Sequence, residues 1–211
     1  MTSTPSAVLD APPPDADRDS ANRPEVPRPI PAALVPWRDP HPWWGWLCTL
    51  LVAVLAGFTR FWALGFPSGK IFDEVYYATE AQELLRYGYE DDRGYMFIVH
   101  PPIGKWLIGA SEWFQGVLTG QDSSTAYLAN SLGWRIAPAI TGVIGVVLIT
   151  RITRRMLHST LFGVIAGLLL TMEGVSLVLA RTAILDIFLQ TFVLAAFGAL
   201  VLDRDQMRAR L

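Results

Sequence analysis

Two short stretches of this sequence bring together side chains able to move a proton or hold an anion. Asp73 and Glu74 are adjacent acids, and His100 precedes Pro101 and Pro102. Five more ionisable residues, Arg60, Arg135, Glu173, Arg181 and Asp186, sit inside or at the edges of long apolar runs. Charge in such runs is costly and marks either a functional site or an internal ion pair. Three arginines near a membrane surface suit an anionic headgroup such as a phosphate. A carboxylate above that phosphate could take a proton from an incoming hydroxyl. Arginine would stabilise the phosphate as its charge grows with the departure of a bound sugar. Together these parts describe sugar transfer from a lipid phosphate to an acceptor outside the membrane. Structural salt bridges among the same residues are the alternative, and Glu173 could pair with Arg181 or Arg135. Asp73 could also be a helix N-cap worth ~1 kcal/mol; the helix dipole would hold it ionised, the form a base needs. Asp73, Glu74 and His100 could form a mixed oxygen–nitrogen metal set. With no second histidine on that side, a histidine cluster is unsupported, and any need for a divalent metal stays open.

The elements that would position these groups are read from hydropathy. The 211 residues are 52% hydrophobic and 17% charged, against roughly 45–50% and about 25% for a soluble domain. Charge is nearly absent from four runs, about 43–65, 131–150, 160–180 and 183–202. Each is long enough to cross a hydrocarbon core of about 30 Å. Trp37, Trp43, Trp44 and Trp46 crowd the start of the first, at the level where aromatic rings meet headgroups. Residues 1–36 hold nine of the fifteen prolines with little clustered apolar surface, which predicts a disordered tail. The net charge of −2 offers no basic surplus for nucleic acid, and the single Cys48 excludes an intrachain disulfide.

Arg28 and Arg38, Arg151, Arg154 and Arg155, and Arg204, Arg208 and Arg210 occupy alternate connections, so the positive-inside rule places all three segments in the cytoplasm. The 66–130 loop is then extracytoplasmic, and the five intramembrane ionisable residues gather at its side of the bilayer. Within it, Asp73 starts a helix with Tyr77, Ala78, Ala81, Leu84 and Leu85 on one stripe, stopped by Gly88. A second helix starts at Pro101-Pro102, with Ile103, Trp106, Leu107, Ala110, Phe114 and Val117 in line and Lys105 and Glu112 off it. That stripe either lies in the interface or packs on neighbouring helices.

The strings RFWALGFPSGKIFDEVYYATEAQELLRYGYE (Arg60–Glu90) and VHPPIGKWLIG (Val99–Gly109) resemble the dolichyl-phosphate-mannose–protein mannosyltransferases, and more narrowly their actinobacterial branch. WRIAPAI (Trp134–Ile140) and ARTAILDIFL (Ala180–Leu189) are similar to further blocks of that family. The resemblance covers about residues 43–202. It implies an all-α polytopic fold of GT-C type, with the active site at the first extracytoplasmic loop of a multi-pass plasma-membrane enzyme. The implied reaction moves mannose, with inversion, from polyprenyl-phosphate mannose to Ser or Thr of exported proteins. No cofactor is firmly implied beyond that lipid-linked donor. By the resemblance Asp73 is the base, Glu74 supports it or seats the acceptor, and Arg135 binds donor phosphate. His100 and Pro101 shape the pocket, while Arg60, Arg181 and Asp186 match family positions without a defined role. Family members in eukaryotes carry an aspartate where this chain has Ile98, so that role does not transfer. They also continue through further spans, so these 211 residues are expected to be an N-terminal part whose activity alone is doubtful. The alternatives are a GT-C enzyme acting on a glycan or lipid and, more remotely, a transporter or scaffold; a transporter would show broken helices or half-repeats at mid-membrane.

Overall fold

The computed structural model describes residues 41–90, 100–120 and 131–210, with side chains to 207. The expected tail at 1–36 and parts of the 66–130 loop lie outside these residues. Among the described residues the regular structure is entirely helical: α1 (Pro42–Phe61), α2 (Glu74–Tyr87), α3 (Ile103–Thr119), α4 (Ser131–Leu157), α5 (Thr160–Met172), α6 (Gly174–Arg181) and α7 (Asp186–Arg210). This is the all-α polytopic class expected. Three helices are long and apolar enough to cross a membrane, and the bent pair α5–α6 makes four.

Helix α4, with 27 residues and so roughly 40 Å long, is the central post against which α1, α3, α5, α6 and α7 all pack. Helix α1 turns a narrow face toward it. Gly45, Thr49, Val52, Ala56 and Arg60 are buried, while Trp44, Leu51, Val54 and Phe58 point outward. Small residues at i, i+4, i+7 and i+11 let backbones approach, and the large outer side chains suit lipid. The chain leaves α1 at Phe61, four residues before the predicted end, through a turn in which Ala63 has φ 51°.

The third span is not one straight helix. Between α5 and α6 the axis bends by 61°. Glu173 causes the restart: its carboxylate accepts the N–H groups of Val175 and Ser176, satisfying donors a new helix would leave bare. Glu173 is exposed and pairs with neither Arg181 nor Arg135, which corrects the expectation of an internal ion pair. Leu170 of α5 and Leu179 of α6, on either side of the break, line a cavity with Leu189, Val193 and Leu194 of α7, and the break closes on its own cap. Its effect is to lay α6 across the top of α1 and α4.

The two loop helices cap this end. Helix α2 ends at Gly88, whose φ of 77° needs a residue without Cβ strain. Its predicted stripe does face inward: Tyr77, Ala78 and Ala81 join Ile108, Trp134, Ala180 and Phe188 in one core, and Leu84 is buried as well. Helix α3 does the reverse. Ile103, Trp106, Phe114 and Val117 point outward, while Gly104, Lys105, Ile108, Ser111 and Glu112 are buried. Among the described residues the apolar stripe packs on no neighbouring helix, and an outward stripe with Trp106 and Trp113 fits an interfacial helix.

Candidate active site

Asp73 and Glu74 are neighbours in sequence with opposite fates. Glu74 is fully buried and takes four hydrogen bonds. Arg135 Nε and Nη2 donate to its Oε1 and Oε2, both at 2.7 Å. The Ile71 and Ala183 N–H groups donate to Oε2 and Oε1, each at 3.0 Å. The carboxylate thus ties the start of α2 to the head of α4 and to the α6–α7 turn. Arg135 spends its remaining donors on the Leu64, Pro67 and Gly69 carbonyls at 3.2, 2.8 and 3.1 Å. A guanidinium has five N–H groups, and all five are used. In this arrangement Arg135 has nothing left for a donor phosphate.

Asp73 sits at the N-cap position of α2 and makes no side-chain cap bond. Its carboxylate is half-buried and has no hydrogen-bond or ion-pair partner among the described residues. The cap reading is therefore set aside. Phe72, just before it, is held at φ 51°, and His100 at φ 75°. Non-glycine residues in this left-handed region are costly and cluster where geometry serves a site.

One turn along α2 from Asp73, Tyr77 is the link to the other polar residues. Its ring meets His100 edge-on at 5.6 Å between centroids. Burial, then the nearby charges of Asp73, Asp186 and Glu80, raise its phenol pKa, so it stays protonated and able to donate. Tyr77, His100, Pro101 and Asp186 line an open cavity of about 300 Å³, floored by Leu185, Phe188 and Phe192. Sequence reasoning assigned Tyr77 to an apolar stripe. Its hydroxyl on the turn after Asp73 was the available signal.

Arg60 and Arg181 form a separate pair at the end of α1. Arg181 Nη1 donates to the Thr59 and Arg60 carbonyls at 2.8 and 3.3 Å, capping α1 where its dipole is negative. Arg60 is fully buried beside Gly142, where a Cβ would come within 2.8 Å of its Nε. Its bonds to the Ala56 and Leu170 carbonyls are long, 3.4 Å each, and Nε has no partner. Neither arginine has a carboxylate within ion-pair distance among the described residues.

Behind α2 and α3 lie charged groups that the hydropathy pattern did not reveal. Lys105, fully buried, reaches Glu80 at 2.9 Å and Glu90 at 2.8 Å. Lys70 donates to Thr79 Oγ1 at 2.8 Å and lies over the Trp134 ring. Burial lowers its pKa against the pull of Glu112 and Glu74. Burial pushes the Glu112 carboxyl up to about 8, against Lys70 and Arg86, and leaves its Oε2 unpartnered. With Glu74 fully engaged, the mixed set of Asp73, Glu74 and His100 is not assembled. No group of three or more metal-ligating residues occurs among the described residues.

Residues 43–209 match the family described as dolichyl-phosphate-mannose-protein mannosyltransferase. The chain is 45% identical over 204 residues to a polyprenol-phosphate-mannose–protein mannosyltransferase of Mycolicibacterium smegmatis, covering 93% of this chain and 37% of that protein. It is 46% identical over 201 residues to the protein of that name from Mycobacterium tuberculosis, covering 92% and 36%. Protein O-mannosyl-transferase 1 of Rattus norvegicus is 29% identical over 151 residues, covering 69% and 19%. The chain spans just over a third of the length of the mycobacterial relatives.

Proposed function

Since the chain belongs to the dolichyl-phosphate-mannose–protein mannosyltransferase family, a family of GT-C membrane glycosyltransferases, we propose that it carries the hydroxyl-activating site of a protein O-mannosyltransferase. The donor is a polyprenyl-phosphate mannose and the acceptor a Ser or Thr hydroxyl of an exported protein. The observation that carries this reading is the contrast between two adjacent acids. Glu74 is saturated and structural, while Asp73 is ionisable, half-open and uncommitted.

Asp73 takes the proton of the acceptor hydroxyl as its oxygen attacks the sugar C1. The C1–O bond to phosphate breaks, the phosphate leaves with the bonding electrons, and a single displacement inverts C1. Tyr77, His100 and Asp186 line the cavity beside the base, with hydrogen-bonding groups over an aromatic floor suited to a hexose. Arg181, with no carboxylate within ion-pair distance among the described residues, supports a place for the departing phosphate at the end of α1 rather than at the saturated Arg135. Glu74 and Arg135 are positioning residues that hold Asp73 in place.

The site faces the extracytoplasmic side of the plasma membrane in this reading, with residues 37–211 as the transmembrane domain and 1–36 as a cytoplasmic tail. The arginines at the far end of α4 support that orientation. In a Cys48→Ser background, Tyr89→Cys, at an exposed position just past α2, should label from outside intact cells; labelling only after permeabilisation would invert the topology. The test of function uses the full-length protein in membranes, with labelled polyprenyl-phosphate mannose and a Ser/Thr-rich peptide. Asp73→Asn should lower transfer at least ~100-fold, the scale of one catalytic base. Near-normal transfer by that variant would remove Asp73 from the role. Transfer to a glycan or lipid but not to the peptide would favour the neighbouring GT-C activity.

A further inference from the structure

Asp73 lies on a border. One turn on, Tyr77 is 8% exposed and meets His100 in the cavity, whereas Tyr76, about 100° away round the helix, is 49% exposed. The outward side is apolar: Phe72 is 77% exposed, and Val75 stands in the open beside Tyr76. These side chains are carried on a fixed frame. The Ile71 N–H donates to Glu74 Oε2 at 3.0 Å, and the Glu74 and Tyr76 N–H groups donate to the Ile71 and Asp73 carbonyls at 3.1 and 3.0 Å. Arg135 holds the Pro67 and Gly69 carbonyls just upstream. Within this frame Phe72 keeps φ 51°, a costly conformation for a residue with a Cβ. Large apolar groups held outward on ordered backbone have the form of a recognition surface, because little ordering is left to do on binding. Trp62 and Phe66 are exposed too, but they follow closely on the end of α1 and suit the headgroup level.

We infer that Phe72, Val75 and Tyr76 form the acceptor side of the site, seating an extended polypeptide segment whose apolar side chains flank the Ser or Thr presented to Asp73. The inference rests on the reading of Asp73 as the base. A displacement that inverts C1 needs the attacking oxygen and the departing phosphate on opposite faces of the sugar. With the sugar in the cavity lined by Tyr77 and His100, the hydroxyl comes to Asp73 from its other side, and the surface there is Phe72, Val75 and Tyr76. A carboxylate at the edge of this patch suits a polypeptide, which brings N–H and hydroxyl donors, and disfavours a lipid tail. The same charge repels an acidic side chain next to the hydroxyl. Acceptor choice is thus set by apolar contact with rigid rings, which cost little side-chain entropy, and by exclusion of acids.

The experiment uses the full-length protein in membranes, with labelled polyprenyl-phosphate mannose and two short fluorescent peptides. One peptide holds a single Thr between valines, the other between glutamates. Wild type should show a KM for the valine peptide about tenfold or more below that for the glutamate peptide. Phe72→Ala with Tyr76→Ala should raise the valine-peptide KM about tenfold or more, leaving kcat and the donor KM within about twofold. Tyr76→Phe keeps the ring and should keep the wild-type KM. If the double variant does not fold, crosslinking carries the test: with benzoylphenylalanine in place of Tyr76, light should attach the valine peptide, and excess unlabelled peptide should compete. Equal KM values for the two peptides would overturn the inference, as would an unaltered acceptor KM in the double variant or a shift of the donor KM in its place. Crosslinks to lipid alone would also overturn it and give the rings to the membrane. Failure of the underlying reading has a different signature, since Asp73→Asn would then keep transfer whatever the acceptor KM.

Discussion

Replacing Glu74 by glutamine should unfold this end of the protein more readily than any change at Asp73, although the two residues are adjacent. Glu74 is 0% and Arg135 1% exposed, and two charge-assisted bonds of 2.7 Å join them. Glutamine keeps one acceptor oxygen and turns an NH2 group toward donors, so about half of the four bonds to Glu74 fail. A guanidinium left buried without its counter-charge costs about 3–5 kcal/mol. The carbonyls of Leu64, Pro67 and Gly69 still hold Arg135, so the lower end, about 3 kcal/mol, is expected. Asp73 makes no such bond, and Asp73→Asn should stay within about 0.5 kcal/mol of wild type. The assay is thermal unfolding of the full-length protein in detergent beside mannosyl transfer. Glu74→Gln should lower Tm by several degrees and transfer with it; Asp73→Asn should keep Tm and lose transfer. A cycle with Arg135→Gln should show a coupling of at least about 2 kcal/mol. Were Glu74→Gln to melt like wild type while losing transfer as completely as Asp73→Asn, Glu74 would belong to the chemistry and the division of labour would be refuted.

Three further outcomes follow from the charges. The folded Glu112 carboxyl lies near pH 8 against 4.5 for the free group, so the native state keeps a proton that the unfolded chain loses between those values. Its stabilisation is present below about pH 4.5 and is lost as pH rises through 8, by up to roughly 5 kcal/mol. Glu112→Gln should flatten the fall of Tm across that window, and an unchanged slope would dismiss burial as the cause. Arg181→Gln should raise the KM for the lipid-linked donor about tenfold or more while Arg181→Lys recovers part of it, measured by initial rates; an unaltered KM would move the phosphate elsewhere. Lys105→Met should destabilise by about 3–5 kcal/mol, because Glu80 and Glu90 would keep buried charge without a partner; thermal unfolding in detergent reads this.

Much of the architecture could be read because it follows from local pattern. Uncharged runs long enough to cross a bilayer mark the spans, and Gly88 and the Pro101-Pro102 pair bracket the loop helices. The bend at Glu173 was missed because hydropathy does not register a carboxylate that folds back onto the next two N–H groups. Helix α3 shows why periodicity alone misleads near a membrane. Its apolar stripe was legible, but which side faces protein depends on whether the other face meets lipid or water. The buried face instead carries Lys105 and Glu112.

Sequence by itself determined the helical membrane class, the apolar runs, of which three form helices long and apolar enough to cross a membrane and one a bent pair, and the set of polar residues within and between them. It did so because bilayer thickness and the cost of buried charge act on composition, residue by residue. Only the tertiary structure decided which of those polar groups are spoken for. Glu74 and Arg135 satisfy each other and the backbone across α2, α4 and the α6–α7 turn, while Asp73, Tyr77, His100 and Asp186 keep open functional groups. Those commitments are made between helices far apart in the chain, where hydrogen-bond geometry, not residue type, sets the answer.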